Sequence, residues 1–568
     1  MRNIFVVLVL GALVLSSCSR KQTSSHSLRD GKGGKKYGGT IHENEVGDLR
    51  SLDPPQINDA TSRHIGENIY DQLLEFDNDL KFHPCLAIAM PDISADGLTY
   101  TFHLRTDVFF QDDPCFPNSK GRKFTAKDVV YSWSRALDPA TNTLAFAYFQ
   151  VIKGAKEYFE SKASLPGGVS GLQAPDDSTF VVTLVKPFSP FVNYVAVSNA
   201  FIYAHEAVEK YGKDFTHHGV GTGPFRFVEY KEGRYCLLVR NDHYWQKDEA
   251  GNQLPYVDSV KYTFLQDDKS ELLEFKAGNL DHKYRIPNEF FADIVDENKQ
   301  PKGDYKKYQI KSMPAIACQF HGFNCDVAPV SNVHLRRAIS FAIDRKKIVK
   351  YILKGQAFAP GEHGLVPPGM PGFPFNDVHG FVFNPDSARM ELELAKKELG
   401  ATIPPLTLYV NKGGGRNQDV AQAVQGQIKE NLGLDVSLEI KEWAQLTPMI
   451  DDGKAAYFRL GWIADYPDPQ NFLNLLYSKN IPPNGPSSIN QTRYRNPEFD
   501  KLYEQAINET DRAKAMQLWA QCDQIAVKDA PQVILYYDED YHMLQPWIHD
   551  FPVNAQDDRP QKHTWFSE

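Results

Sequence analysis

A chain of 568 residues, 42% hydrophobic and 12% aromatic, has an ordinary globular composition. It is too long for one core and is expected to divide into two or three domains. The formal net charge of −10 argues against nucleic acid and anionic membrane surfaces as partners held by charge.

Arg2 followed by the apolar stretch Ile4 to Leu15 reads as an export leader, too short to span a bilayer as a mature helix. It runs into Leu15-Ser-Ser-Cys18, which resembles a lipobox. Residues 1–18 are therefore expected to form a lipoprotein signal peptide region, with Cys18 lipidated and holding the protein to a membrane. Residues 19–36, rich in Ser, Lys and Gly, read as a flexible tether of about 23 Å r.m.s. span. Six further cysteines (Cys85, Cys115, Cys236, Cys318, Cys325, Cys522) contain no Cys-x-x-Cys. An exported protein can pair them in many ways, and isolated buried thiols are the simpler reading.

Leu52-Asp-Pro-Pro55 breaks the chain before a helix over 60–74, with Ile65, Ile69 and Leu73 four residues apart. Leu98, Tyr100, Phe102 and Leu104 alternate with polar residues, as in a half-buried strand. Thr125 and Asp128 form a capping pattern for a helix that buries Val129, Val130, Trp133 and Leu137. Gly221-Thr-Gly-Pro-Phe-Arg-Phe227 leads to a strand over 235–240. It is no dinucleotide loop, because Pro224 and a strand follow in place of a helix.

A helix over 332–343 has Leu335, Ala338, Ile339, Ala342 and Ile343 on one face, and Asp344 caps the next. A strand over 406–410, a helix over 419–431 and a strand over 434–440 read as a βαβ crossover with parallel strands. Further helices start at Pro497 and Thr510, and a strand follows over 533–537.

The stretch Phe458-Arg-Leu-Gly-Trp-Ile-Ala-Asp465-Tyr-Pro-Asp-Pro reads as an apolar strand end followed by a turn stiffened by Pro467 and Pro469. A carboxylate held there beside an indole suits a cation arriving by diffusion. The plainer alternative is that Asp465 and Asp468 are turn formers or helix caps and that Trp462 is core. This Trp-x-x-Asp segment resembles that of the bacterial oligopeptide-binding proteins, the extracytoplasmic receptors of peptide ABC importers. The ordered series Leu-Asp-Pro (52–54), Tyr-Asp-x-Leu (70–73), Thr-Phe-His-Leu-Arg (101–105) and Phe-Thr-Ala-Lys-Asp-Val-Val-Tyr-Ser (124–132) is similar to the N-terminal signature of the same family.

The resemblance covers nearly everything after the tether. It implies an α/β fold of the periplasmic-binding-protein-like type II, two lobes around a ligand cleft plus an extra inserted domain. Lobe I would take residues 37–84, 216–322 and 534–568, the inserted domain 85–215, and lobe II 323–533. Two crossings between the lobes are expected near 320–324 and 533–538. The implied ligand is a short peptide held extended through its main chain, with roomy pockets for its side chains.

Carried over position by position, Asp465 receives the peptide's α-ammonium, and Trp462 and Gly461 line that end of the cleft. Arg459 meets a C-terminal carboxylate and Trp443 walls a side-chain pocket. Asn58 stands where some members carry an acidic residue, so its neutral amide weakens any preference for Lys or Arg. Ile463 replaces a cysteine present in some relatives. The implied partners are ABC permease subunits with separate ATPase subunits and a membrane reached through the lipid. No cofactor or metal is implied, and the chain is expected to act as an extracytoplasmic monomer.

Two rival readings stand beside the peptide receptor. The nearer is a same-fold receptor for a non-peptide solute such as a nickel chelate, haem or an oligosaccharide. An exported hydrolase finds little support: Gly-x-Ser-x-Gly is absent, and His205-Glu-Ala-Val-Glu209 fails the zinc pattern His-Glu-x-x-His. His217 and His218 are adjacent and face apart on regular structure.

Overall fold

The structure, a computed structural model, describes residues 28–161, 168–412 and 416–568. The leader, Cys18 and the first part of the tether lie outside the described residues. The rest of the tether, residues 28–36, does not behave as a free coil. Arg29–Asp30 pairs with Lys36–Tyr37, the Lys32 N–H donates to Asn252 (2.7 Å), and Arg29 binds Asp258 (2.8 Å). Partners more than 200 residues away supply what this polar stretch lacks in apolar surface.

Strands Thr40–Asn44, Phe225–Lys231, Tyr235–Arg240 and Ser259–Thr263 form one four-stranded sheet, with the first and last parallel. Helix Ala60–Ile69 lies against it, its first turn closed by the Asp59 side chain on the Ser62 N–H. The helix stops at Ile69, short of the expected 74, because Leu74–Phe76 leaves to pair with Phe82–Pro84. Gly221 and Gly223 explain the Gly-x-Gly pattern: a Cβ at either would stand 2.5–2.6 Å from the Ile69 carbonyl oxygen. The chain there crosses the helix end in direct backbone contact.

A separate four-stranded antiparallel sheet runs in the order Asp92–Ile93, Thr99–His103, Thr179–Thr183, Leu172–Asp176. Helix Ala126–Ala136 covers it, with the expected capping box of Thr125 and Asp128 formed. Trp133 fills the centre, fully buried. It stacks on Phe149 (4.9 Å between ring centres), meets Phe180 edge-on (5.2 Å), and its indole N–H donates to the Ala200 carbonyl (3.2 Å).

The largest sheet has seven strands. Its continuous order is His282–Tyr284, Gln532–Leu544, Gln309–Phe323, Tyr457–Ile463, Leu406–Asn411, Val436–Lys441, and Ala357–Pro360 pairs with Gln532–Leu544. The last two on the path are parallel and joined by helix Arg416–Leu432, the crossover read from sequence. Gln309–Phe323 and Gln532–Leu544 are long enough to run through two regions of core. One end packs with Leu335, Ile339, Leu408, Val424 and Tyr457, the other with Leu272, Phe275 and Ile294. Their pairing breaks register between Pro314 and Cys318, where proline has no N–H for the ladder. The segments expected to carry the crossings, 320–324 and 533–538, lie at the end of the first strand and within the second, and this register break lies six residues before the first of them.

A buried ionic cluster ties the C-terminal segment to the first sheet. Arg559 binds Glu45 (3.0 Å) and Asp557 (2.8 Å), and His64 binds Glu45 (2.8 Å). Burial beside this cluster pushes the Glu43 carboxyl up to about 8. All six cysteines of the described residues are free thiols.

Trp133→Ala is expected to destabilise the protein by about 3–5 kcal/mol, the usual cost of removing a large aromatic from a closed core. The measurement is the shift in the urea midpoint; a loss under about 1 kcal/mol would show that this core collapses around the cavity.

Candidate ligand-binding cleft

Strand Tyr457–Ile463 is central in the large sheet, antiparallel to Gln309–Phe323 and parallel to Leu406–Asn411. Its last sheet contact is the Ala464 N–H on the Ile316 carbonyl (2.9 Å). Asp465 is the next residue. The turn that follows is held by Asp468, buried and accepting the Gln470 N–H (2.9 Å). Pro469 then opens the one-turn helix Gln470–Leu473. Of the two carboxylates in this turn, Asp468 is the turn former, and Asp465 is left to face outward.

It faces a cavity of about 390 Å³. The walls come from the start of helix Ala60–Ile69, from Leu144 and Tyr148, from 196–201, from Ile463 to Asp465, and from the C-terminal segment at Gln556, Asp558 and Lys562. Asn58 lines the same cavity.

The charges around it sort themselves. Glu67 and Asp558 share Arg63, and Glu75 takes Lys562 (2.6 Å). Asp71 accepts from Thr222, Tyr244 and Trp245 (2.9–3.2 Å). Asp59 caps the helix. Asp465 has one neutral donor, the Asn471 side-chain amide (3.2 Å). The carboxyl has open surface toward the cavity, yet the protein around it removes enough water to raise its pKa above the ordinary aspartate value. Asn471 and the more distant Arg63 offset only part of this. A raised carboxylate without a counter-ion, on a rigid turn, is a place for an ammonium group.

Trp443, Gly461 and Trp462 come together elsewhere, in a second cavity of about 200 Å³ with Phe320, Phe458 and Leu460. Trp462 and Asp465 are three residues apart, and strand alternation sends Phe458, Leu460 and Trp462 to one face. The expectation that Trp462 and Gly461 line the ammonium end therefore needs correction: both wall a neighbouring pocket. The Trp462 indole N–H donates to Asn471 Oδ1 (2.7 Å), so Asn471 joins the two sites. Trp443 begins helix Trp443–Asp451 and is half exposed in that pocket. At Gly461 a Cβ would lie 2.3 Å from Gln319 Oε1, so glycine lets the Gln319 side chain cross the strand.

Arg459 lines neither cavity. Its guanidinium donates to Asn411 (3.0 Å) and Gln319, and burial lowers its pKa. Asp538, which also accepts from Gln319 (2.6 Å), is paired with Arg416 (3.0 Å). Arg459 is thus a half-buried cation held by neutral acceptors, with capacity left for a carboxylate.

Sequence reasoning missed Arg63, Tyr148, Asn471 and Gln556, whose side chain donates to the Asp465 carbonyl (2.9 Å). Only Asn471 is near in sequence, and a single amide six residues past an aspartate carries no pattern. The others reach the site by tertiary folding alone.

The chain is similar to known proteins over most of its length. Residues 81–484 match the profile of the bacterial extracellular solute-binding proteins, family 5. The chain is 30% identical over 561 residues to the oligopeptide-binding protein OppA of Bacillus subtilis, covering 96% of this chain and 95% of that one. It is 28% identical over 556 residues to heme-binding protein A of Haemophilus influenzae, with the same coverage. In fold it superposes on the periplasmic binding protein DppA of Helicobacter pylori in complex with the peptide STSA, with a TM-score of 0.75, 24% identity, and coverage of 94% of this chain and 99% of that one.

Asp465→Asn should raise the thermal midpoint of the ligand-free protein at neutral pH. A carboxyl whose folded pKa is raised costs stability when ionised, and that cost disappears as pH falls through the folded value toward the unfolded one. The advantage of asparagine should therefore fade on acidification. Scanning fluorimetry from pH 7 downward measures it, and a lower midpoint for the variant at pH 7 would contradict the assignment.

Proposed function

Because the chain belongs to the bacterial extracellular solute-binding proteins of family 5 and has their two-lobed, type II periplasmic-binding-protein-like fold, we propose that it is an extracytoplasmic receptor. It captures oligopeptides between its lobes and delivers them to an ABC import permease. The observation that carries the peptide reading is Asp465, a carboxylate facing the cavity of about 390 Å³ with no cation and a single amide donor. The α-ammonium of a peptide supplies the missing charge.

The remaining parts follow from that anchor. The pocket of Trp443, Gly461 and Trp462 takes a ligand side chain, and Arg459 offers its free capacity to a terminal carboxylate. Asn58 lines the ammonium end as a neutral group. The two-lobe division with an inserted domain over 85–215 belongs to the same proposal, as do lipidation at Cys18, membrane anchoring by that lipid, and the monomeric state. The chain acts as a binding protein and carries out no chemistry on its ligand.

A haem reading, suggested by the Haemophilus relative, fits the cavity poorly. Its two cations, Arg63 and Lys562, are already paired, and the unpaired charge is negative, opposite to what propionates need.

Titration calorimetry of short peptides tests the proposal. Asp465→Ala should weaken binding by about 3–5 kcal/mol, the cost of stranding one member of a buried pair, and N-acetylation of the peptide should weaken it comparably. Equal affinity for free and acetylated peptides would remove Asp465 from the role. Peptides recovered intact after incubation support a receptor; cleaved peptides would overturn the non-catalytic reading.

A further inference from the structure

The helix Gln470–Leu473 holds the anchor from one side and touches another part of the molecule from the other. Asn471 is its working residue toward the ligand. Its amide donates to the Asp465 carboxylate, and its oxygen accepts from the Trp462 indole (2.7 Å) and the Asp465 N–H (3.3 Å). Its neighbour Gln470 points into a chain of hydroxyls. Tyr466 donates to Gln470 Oε1, and Gln470 Nε2 donates to the Tyr503 hydroxyl (2.8 Å). The Tyr503 hydroxyl in turn donates to Asn474 Oδ1 (3.0 Å).

The other end of this chain is Tyr194, in the short helix Phe191–Tyr194. Its hydroxyl lies 3.3 Å from that of Tyr466. Since Tyr466 spends its proton on Gln470, Tyr194 is the donor in this contact. The rings reinforce the geometry. Tyr194 meets Tyr466 edge-on at 5.0 Å, and Tyr148 meets both edge-on, at 5.4 and 6.3 Å. Asn193 adds a contact to Asp468 at 3.4 Å, and Ser189 donates through its N–H and hydroxyl to the Ile507 carbonyl (3.0 and 2.9 Å). This is the seam between the part of the chain carrying the Thr99–His103 sheet and the part carrying Asp465.

We infer that Tyr194 is a positioning residue for the ligand anchor, acting through the relay Tyr194–Tyr466–Gln470 on the helix whose Asn471 orients Asp465. Tyr194 does not line the cavity, so it acts without touching ligand. The segment around it thereby takes part in ammonium recognition through the seam. Buried hydroxyls and amides arranged donor to acceptor fix rotamers along their length. Loss of the first donor leaves the Tyr466 hydroxyl held by Gln470 alone and loosens the helix one turn from the carboxylate.

This inference rests on the peptide reading, and the test separates the two. Tyr194→Phe keeps the ring and removes only the hydroxyl. By titration calorimetry it should weaken a free-ammonium tripeptide about three- to tenfold, the range of one neutral hydrogen bond. The N-acetylated tripeptide should bind the variant and the parent alike. In an Asp465→Asn background, Tyr194→Phe should have no further effect on the free peptide. Equal weakening of both peptides would assign Tyr194 a general part in packing or closure, and unchanged binding of both would remove the relay; either overturns the inference. If Asp465→Asn weakens free and acetylated peptide alike, the peptide reading fails and the inference with it. If Asp465→Asn weakens the free peptide selectively while Tyr194→Phe changes nothing, the relay alone fails.

Discussion

This molecule's site depends on Asp465, a carboxylate with no cation beside it and one side-chain amide as its donor. The cavity wall presents Glu67, Asp558, Glu75 and Asp71 to the same space as Asp465. The first three are met by Arg63 and Lys562, and Asp71 by three neutral donors. Asp465 is left with one amide. Desolvating an ion is expensive unless something of opposite sign arrives. The fold accepts part of that expense in the free protein, and a cationic group relieves it on binding.

Holding a carboxylate in that condition needs a rigid support, and the sheet supplies it. The strand before Asp465 is paired on both sides, and the turn after it is closed by Asp468 between two prolines. The C-terminal segment closes over the anchor from across the chain, through Gln556 on the Asp465 carbonyl. That segment is fixed in its turn by Arg559 and its buried carboxylates. A site assembled from chain positions near 60, 148, 465 and 556 is stiff only if each of those segments is tied down separately. The ionic cluster and the tyrosine seam do that work.

Much of this was legible in the sequence where the signal is local. The capping box at Thr125 and Asp128, the apolar face of helix Val333–Ala342 and the crossover joining Leu406–Asn411 to Val436–Lys441 all follow from spacing. So does the placement of Asp465 on a proline-stiffened turn after a strand. What escaped was set by distant partners. The strand expected over 533–537 continues to Leu544, because Asp538, Glu539 and His542 are buried by Arg416, Lys299 and His282. A run of acids looks like surface until its counter-charges are known. The polar stretch 28–36 reads as a tether in the sequence for the same reason, because its partners Asn252 and Asp258 lie far along the chain. Trp462, which the resemblance puts beside Asp465, lines the neighbouring pocket, since the period of two along a strand turns it away from a residue three positions on.

The claim that Asp465 waits for a cation is tested most directly by its own titration. Carboxyl carbon shifts of isotopically labelled aspartate, assigned through Asp465→Asn, give its pKa with and without a saturating tripeptide. The account requires a value above the ordinary aspartate value of about 3.9 in the free protein and a fall when the peptide binds. An ordinary value in the free protein, unchanged by peptide, would contradict it.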